Sequence, residues 1–154
     1  MQNRDIYIFT TDTVCGIATP VKGGSLDKIY ELKQRPFEKK IMILVGSIDQ
    51  ARSFEQWTSG ADKWALKFWP GAYSIVVNDQ GFRMPNNQKL CEFLLEKGPM
   101  FATSANISGD NPIEIKDAKT TFPTVPQENI YDFGKGSGQA SSIYIYDKDL
   151  WIRR

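Results

Sequence analysis

Small polar residues gather in one turn near the middle of the chain. Ser104, Asn106 and Ser108 follow a short apolar run, 99–103, that has the pattern of a strand end. Hydroxyl and amide side chains, together with the free backbone N–H groups of such a turn, can bind an anion or the phosphate of a nucleotide. The alternative is a turn without a ligand, since Ser, Asn and Gly are also the ordinary residues of turns.

Two cations and a second group of hydroxyls complement that turn. Lys33 and Arg35 stand before a proline at the end of a predicted helix, and Thr11 and Thr13 follow the first predicted strand. Each cluster also has a structural alternative, because basic residues complement a helix C-terminus and Thr or Asp can cap a helix. The clusters share a place at the ends of predicted elements, where open α/β sheets bind ligands. The chain has no histidine, so a phosphate-binding site that works by positioning is indicated, rather than a histidine base or a zinc site.

Alternating strands and helices are predicted to position these clusters. Strands are predicted over 6–10, 15–19, 41–45, 74–77, 81–84, 100–103, 130–133, 142–146 and 150–153, and helices over 25–33, 49–54, 59–68, 87–97 and 114–121. The continuous apolar run 41–45 is typical of a strand covered on both faces. The pattern predicts one α/β domain over residues 1–154, with a twisted mixed β-sheet flanked by helices in three layers.

Composition excludes several classes of protein. The net charge is +1, which argues against a dedicated RNA binder and against attraction to an anionic membrane. No apolar run approaches the roughly 18 residues of a membrane span. Cys15 and Cys91 form no metal-binding pattern and predict free thiols in a cytoplasmic protein.

Seven short motifs resemble, in their order and spacing, the YrdC family, the threonylcarbamoyl-AMP synthases of tRNA modification. They are Thr-Thr-Asp-Thr-Val-Cys-Gly-Ile at 10–17, Lys-Gln-Arg-Pro at 33–36, Trp-Pro-Gly at 69–71, Arg-Met-Pro at 83–85, Ser-Ala-Asn-Ile-Ser-Gly at 104–109, Ser-Ser at 141–142 and Ile-Arg at 152–153. Each motif alone is weak evidence for the family, whereas seven motifs in the same order and spacing are a specific signal. The chain departs from the family pattern at Thr10 (usually Pro), Cys15 (usually Tyr) and Ser142 (usually Thr), and it lacks the usual Pro-Gly after the last motif.

The resemblance implies a YrdC-like fold and a nucleotidyltransferase. The implied reaction joins L-threonine, bicarbonate or carbon dioxide, and ATP into threonylcarbamoyl-adenylate and pyrophosphate, for threonylcarbamoyladenosine modification of tRNA. Mg²⁺ is expected to arrive with ATP, without a metal site on the protein. The implied partners are proteins of the tRNA threonylcarbamoyl-transfer complex, to which a minimal single-domain form would hand its product. A weak tRNA contact by the lysine-rich stretch 38–40 is the alternative to a solvated turn.

The resemblance also assigns roles to individual residues. Lys33 and Arg35 are the implied catalytic cations. The implied nucleotide-binding residues are Lys33, Arg35, Ser104 and Asn106, and the implied threonine-binding residues are Thr11, Thr13, Arg35 and Ser142. Arg83 and Arg153 are second-tier cations, with an ordinary surface arginine as the alternative.

Two other classes of function stay open at this point. One is a nucleotide- or double-stranded-RNA-binding YrdC-like protein without synthase activity. The other is an interaction subunit that keeps the fold and has lost activity. The retained cations and polar turn favour the enzyme, while Cys15 in place of a large ring keeps the inactive alternative open.

Overall fold

The computed structural model describes residues 2–154, so Met1, the first residue of the predicted domain, lies outside the described part. Its strands are β1 (Tyr7–Phe9), β2 (Gly16–Pro20), β3 (Met42–Leu44), β4 (Tyr73–Val77), β5 (Gln80–Arg83), β6 (Met100–Ser104), β7 (Ile130–Tyr131), β8 (Ser142–Ile145) and β9 (Leu150–Ile152). Its α-helices are α1 (Leu26–Lys33), α2 (Ile48–Arg52), α3 (Ser59–Phe68), α4 (Gln88–Lys97) and α5 (Ala118–Thr121). Every predicted strand and helix has a counterpart among these elements.

The strands form one mixed sheet. Within residues 2–154 its order is β7-β1-β2-β6-β3-β5-β4-β8-β9. The β1–β7, β3–β5 and β4–β8 pairs are parallel, and the other neighbours are antiparallel. The predicted mixed sheet is therefore confirmed.

Helices cover both faces of this sheet. Neighbouring strand residues point to opposite faces. Accordingly, Ile43 packs in the core beneath α2 and α3, while Leu44 packs in the core beneath α4. A further core, containing Ile8 and Ile17, joins α1 and α5 to β1 and β2. These layers match the predicted three-layer α/β architecture.

Local signals set most of the helix starts. The side chains of Ser47, Thr58 and Asn87 each accept a hydrogen bond from a backbone N–H in the first turn of α2, α3 and α4. Ser25 precedes α1 as predicted, but its hydroxyl donates to the Asp5 carboxylate and makes no side-chain cap. The start of α1 is therefore tied to the N-terminal segment.

The observed strand bounds differ from the predicted ones by one or two residues, and in two places the structure shows the local cause. Asn78 and Asp79 both have positive φ, so β4 and β5 join through a two-residue turn that suits their twist. β7 ends at Tyr131, two residues before the predicted end. Beyond it, the Phe133 N–H donates to the Thr10 hydroxyl at 2.6 Å, which turns the chain away from strand pairing.

Candidate functional site

A cavity of about 420 Å³ lies on the same face of the sheet as α4, beyond the part that this helix covers. Its floor is formed by alternate residues of the central strands, Met42, Leu44, Ala102 and Ser104. Its walls come from loops at the ends of these strands. The structure therefore brings the ends of distant segments to one concave surface.

Lys33 lies behind the wall of this cavity, in contact with the lining residues Thr103 and Ser104, and is not itself part of the lining. It is the last residue of α1 and only 2% exposed. Its Nζ donates to the Ser104 carbonyl oxygen at 2.5 Å, to Thr103 Oγ1 at 3.2 Å and to Asn106 Oδ1 at 3.3 Å. Helix α1 and the polar turn after β6 are thus joined through one ammonium group at the cavity wall.

The electrostatics of Lys33 follow from its surroundings. Burial, and next the nearby Arg35 guanidinium, lower the pKa of the Lys33 ammonium from 10.5 to about 8. The Lys33 ammonium is therefore still charged at neutral pH, and it donates hydrogen bonds to the surrounding oxygen atoms. A cation held in this way is suited to an anionic ligand above the turn.

Hydrogen bonds within the polar turn after β6 hold its shape. The Ser104 hydroxyl donates to Asn106 Oδ1 at 2.6 Å, and Asn106 Nδ2 donates to the carbonyl oxygens of Ile107 and Asp110. Ser104 lines the cavity, whereas Asn106 is buried. Asn106 therefore acts on the shape of the turn and on Lys33.

Arg35 lines the cavity from the loop after α1. Gln34 adopts a left-handed conformation and ends the helix, which separates Arg35 from Lys33. The Arg35 guanidinium donates to the carbonyl oxygens of Lys39 and Lys40. These bonds fold the loop back and bring Lys40 into the lining as well.

Thr11 and Thr13 lie in the turn between β1 and β2, on another wall. Their hydroxyl oxygens are 3.1 Å apart, and the Thr11 hydroxyl also accepts the Thr13 N–H. Arg83, at the end of β5, donates to Thr13 Oγ1 at 3.1 Å and to the Asp12 carboxylate at 2.8 Å. Arg83 is 5% exposed and forms an ion pair inside the wall, unlike an ordinary surface arginine.

Two predicted residues lie one position away from the cavity. The lining contains Ser141 and Arg154, and it contains neither Ser142 nor Arg153. Arg154 donates to the Ser141 carbonyl oxygen at 2.8 Å, while Arg153 stacks on the Trp151 ring with its guanidinium carbon 4.3 Å from the centroid. Alternation along β8 and β9 is the physical reason, since a shift of one residue changes the face. Burial, and then Arg83, lower the pKa of the Arg154 guanidinium.

A glycine-rich loop rests on the threonine turn. The Ser137 and Gly138 N–H groups donate to the carbonyl oxygens of Asp12 and Thr13 at 3.0 and 2.9 Å. A Cβ atom at position 136 would lie only 2.4 Å from the Thr13 carbonyl oxygen. Glycine at this position allows the close approach. The sequence prediction did not include this loop, although its repeated glycines, at 134, 136 and 138, were a visible signal.

Cys15 faces a different space. It lines a second cavity of about 640 Å³, beside the first, with Ile113, Ile115 and Asp132 among the other lining residues. Burial, followed by the Asp132 carboxylate, raises the pKa of the Cys15 thiol to about 12. The thiol is therefore protonated at neutral pH and does not line the first cavity.

The structure shows neither a metal cage nor a membrane segment within the residues that it describes. No group of three or more His, Cys, Asp or Glu side chains in residues 2–154 is placed to hold a metal ion. No helix in this same range is long and apolar enough to cross a bilayer.

Comparison with known proteins identifies a matching family and several relatives of this chain. A family model named Sua5_yciO_yrdC, with the description "Telomere recombination", matches residues 1–144. A putative threonylcarbamoyl-AMP synthase of Mycobacterium tuberculosis is 33% identical over an alignment of 158 positions, gaps included. The alignment covers 91% of this chain and 72% of that protein. An uncharacterized protein of Mycoplasma pneumoniae is 31% identical over 150 residues, 95% of this chain and 31% of that protein. The chain spans about a third of this Mycoplasma relative and a smaller share, 21%, of a second one from Mycoplasma genitalium.

Solved structures share the fold. Pyrococcus abyssi Sua5 in complex with L-threonine matches with a TM-score of 0.78 at 23% identity, over 92% of this chain and 47% of that one. Escherichia coli YciO matches with a TM-score of 0.77 at 15% identity, over 97% of this chain and 81% of that one. The family match over most of the chain and the shared fold lead to one conclusion. The chain belongs to the Sua5/YciO/YrdC family.

Proposed function

We propose that this protein is a threonylcarbamoyl-AMP synthase. The observation that carries the proposal is the arrangement of cations and hydroxyls around one cavity. Arg35, Lys40, Arg83 and Arg154 line it, and the Lys33 ammonium lies behind its wall, bonded to the Ser104 carbonyl oxygen. The cavity volume, about 420 Å³, lies within the roughly 300–1,000 Å³ of small-molecule sites.

The cationic side of the cavity suits the phosphates of ATP. In the proposed reaction, the amino nitrogen of threonine first bonds to the carbon of bicarbonate, with loss of water, or of carbon dioxide, with release of a proton, to give a carbamate. A carbamate oxygen then attacks the α-phosphorus of ATP, the bond to the bridging oxygen breaks, and pyrophosphate leaves. Lys33 and Arg35 would neutralise charge that shifts onto the phosphate oxygens, and Ser104 would donate a hydrogen bond to them once its hydroxyl turns away from Asn106 Oδ1. Such a step needs positioning more than covalent help from the protein.

Mg²⁺ would enter with the nucleotide as part of the substrate. The Asp12 carboxylate, between Thr11 and Thr13 in the threonine turn, accepts hydrogen bonds from the Arg83 guanidinium and the Asn86 N–H. The donor set of the walls therefore fits the oxygens of a magnesium-bound triphosphate rather than the ion itself. When bound, the ion would supply further neutralisation of phosphate charge.

The threonine turn is proposed to hold the amino acid. Thr11 and Thr13 present hydroxyls on the wall, and Arg83 fixes the Thr13 oxygen. One protein with the same fold, Pyrococcus abyssi Sua5, has been solved in complex with L-threonine. By analogy, Arg35 or Arg154 would pair with the carboxylate of the substrate, since arginine offers a two-pronged donor. Ser141, which lines the cavity, replaces Ser142 in this proposal.

Pyrophosphate release tests the proposal directly. The purified chain is supplied with ATP, Mg²⁺, threonine and bicarbonate, and each component is omitted in turn. We expect release to require all four. ATP binding without release would favour the nucleotide-binding alternative, and release that is unchanged without threonine would contradict the synthase. Delivery of the product to tRNA would then require the partner proteins of the threonylcarbamoyl-transfer complex, added back separately.

A further inference from the structure

Lys40 is a cation of the cavity wall to which the family resemblance assigns no role. It precedes β3, and the alternation of this strand places it on the same face as Met42 and Leu44, which form the cavity floor. Its side chain lines the cavity together with that of Arg35. The sequence predicts only a solvated turn or a weak tRNA contact for the stretch 38–40, so this charge is an addition to the predicted site.

Two side chains hold the backbone around Lys40 in place. The Arg35 guanidinium donates to the carbonyl oxygens of Lys39 and Lys40 at 3.1 and 2.9 Å. The Tyr30 hydroxyl donates to the same Lys39 carbonyl oxygen at 2.8 Å. The Lys40 side chain therefore starts from a fixed point at the edge of the cavity, next to Arg35.

The ammonium group of Lys40, in contrast, is held only at an exposed ion pair. Among residues 2–154, it donates hydrogen bonds to Asp79 alone, to the carboxylate and, at 3.2 Å, to the carbonyl oxygen. Parallel pairing of β3 with β5 brings the segments of these two residues side by side. The Lys40 and Asp79 side chains are 63% and 81% exposed. Such a pair contributes little to stability, so a stronger anion can take the ammonium from the carboxylate.

We propose that Lys40 binds the pyrophosphate part of the nucleotide, and that Asp79 holds its ammonium before the nucleotide binds. This inference rests on the proposed function, in which Arg35 neutralises charge at the phosphates. Because Arg35 is bonded to the Lys40 backbone, the two cations are placed to bind neighbouring phosphates of one ligand. A pyrophosphate group carries more negative charge than a single exposed carboxylate and attracts the ammonium more strongly. Binding breaks the pair of Lys40 with Asp79 and involves no covalent step.

Calorimetric titration with inorganic pyrophosphate and Mg²⁺ tests the role of Lys40 in the absence of threonine and bicarbonate. We expect Lys40→Met, which removes the charge and keeps an aliphatic stem, to weaken binding about tenfold. Lys39→Met is the matched control, because Lys39 is exposed and outside the lining, and it should bind as the unchanged chain does. Circular dichroism melting checks that each variant is folded. Equal affinities of the two variants, or no binding by the unchanged chain at about 1 mM, would overturn the proposal.

Asp79→Asn tests the competition for the ammonium. Loss of the carboxylate charge frees Lys40, so pyrophosphate should bind about threefold more tightly. In the Lys40→Met background the same change should have no such effect at about 0.15 M salt, where screening limits direct repulsion by Asp79. Glu31→Gln is the matched control, because it removes the acid of another exposed ion pair, with Lys28. Equal tightening in both backgrounds would show general repulsion and overturn the role of Asp79.

Turnover and binding together separate this role of Lys40 from the synthase activity. Threonine-dependent pyrophosphate release, with unchanged pyrophosphate affinity in Lys40→Met, would leave the synthase standing and refute the role of Lys40. Pyrophosphate binding that depends on Lys40, without threonine-dependent release, would refute the synthase and leave a phosphate site.

Discussion

At the scale of single residues, the structure gives Lys33 a different environment from the one that the sequence predicts. Its place at a helix end predicts an exposed charge that contributes little to folding. The structure buries it and surrounds its Nζ with acceptors from Thr103, Ser104 and Asn106. Lys33 therefore joins the fold and the proposed site, whereas Arg35 is only half-buried and bonds to its own loop.

Alanine variants should separate these two cations. We expect Lys33→Ala to lower the free energy of unfolding by about 1–3 kcal/mol, because buried acceptors lose their donor. Arg35→Ala should change it by within about 0.5 kcal/mol. Both variants should reduce pyrophosphate release roughly 100-fold, since each removes about 3 kcal/mol of charge stabilisation at the phosphoryl group.

Lys39→Ala serves as the control for these variants, because Lys39 is exposed and absent from the cavity lining. Lys40, although next to it, lines the cavity and cannot serve as a control. Chemical denaturation and turnover measured on the same preparations separate folding from catalysis. Equal activity of the Arg35 and Lys39 variants would contradict a phosphate-binding role for Arg35.

The pKa of Lys33 gives a pH dependence with a definite sign. Since burial lowers this pKa from 10.5 to about 8, ATP affinity should fall as the pH rises through about 8. Stability should respond in the opposite direction. Between about pH 8 and 10.5 the folded state binds fewer protons at Lys33 than the unfolded state does, so this residue's contribution to stability rises. Calorimetric titration of ATP at several pH values, with Lys33→Ala expected to lose the step near pH 8, checks the assignment.

At the scale of elements, the site depends on loops that hold one another. The threonine turn after β1 receives N–H groups from the glycine-rich loop before β8, and Arg83 at the end of β5 binds the same turn. Apart from Arg83, the last residue of β5, the residues that make these contacts lie in loops. The geometry of the cavity therefore depends on how closely the loops approach.

Gly136→Ala should disturb that approach. Its Cβ would meet the carbonyl oxygens of Thr13 at 2.4 Å and Thr11 at 2.5 Å, so the backbone of one loop must move. We expect at least a tenfold loss of threonine affinity, because about 1.4 kcal/mol of lost positioning is tenfold in binding. Equilibrium binding of threonine provides the measurement.

Gly23→Ala is the matched control for this variant. Its φ is +78° and nothing lies within 4 Å of the new Cβ, so the change adds only backbone strain of roughly 1–2 kcal/mol. Threonine affinity should remain at the level of the unchanged chain. If both glycine variants bound threonine equally well, the loop contact would not be required for the site.

At the scale of the whole molecule, one buried ion pair links distant parts of the sheet. Asp12 follows β1, Arg83 ends β5, and their side chains are 13% and 6% exposed. A second arginine, Arg52, pairs with Asp49 and Asp62 at the surface. Asp62, followed by Asp49, holds the pKa of Arg52 above its ordinary value, yet solvent screening limits what such an exposed group contributes to folding.

The two arginines should therefore differ in thermal melting. Arg83→Ala leaves the Asp12 carboxylate without its cation inside the wall, and we expect a loss on the order of 3 kcal/mol in the free energy of unfolding. Arg52→Ala should melt close to the unchanged chain. Scanning calorimetry of both variants gives the comparison. A larger loss of stability for Arg52→Ala would show that the surface pairs of Arg52 with Asp49 and Asp62, and not the buried pair, stabilise the fold more.

Local signals in the amino-acid sequence were enough to predict the order of the elements and the three polar clusters. Hydrophobic periodicity and turn residues act over short distances, so the helix ending at Lys33, the turn after β6 and the strand pair on either side of 78–80 could all be predicted from neighbouring residues. The family pattern added the expectation that distant clusters meet. The structure brings Thr11, Thr13, Arg35 and Ser104 to one cavity.

Which of two neighbouring residues faces the cavity depends on tertiary packing. Ser141 and Arg154 line it where Ser142 and Arg153 were predicted, because strand pairing sets the face and a shift of one residue reverses it. The burial of Lys33 likewise depends on acceptors some seventy residues away along the chain. Such contacts form only when distant segments pack together, so local sequence carries no signal for them.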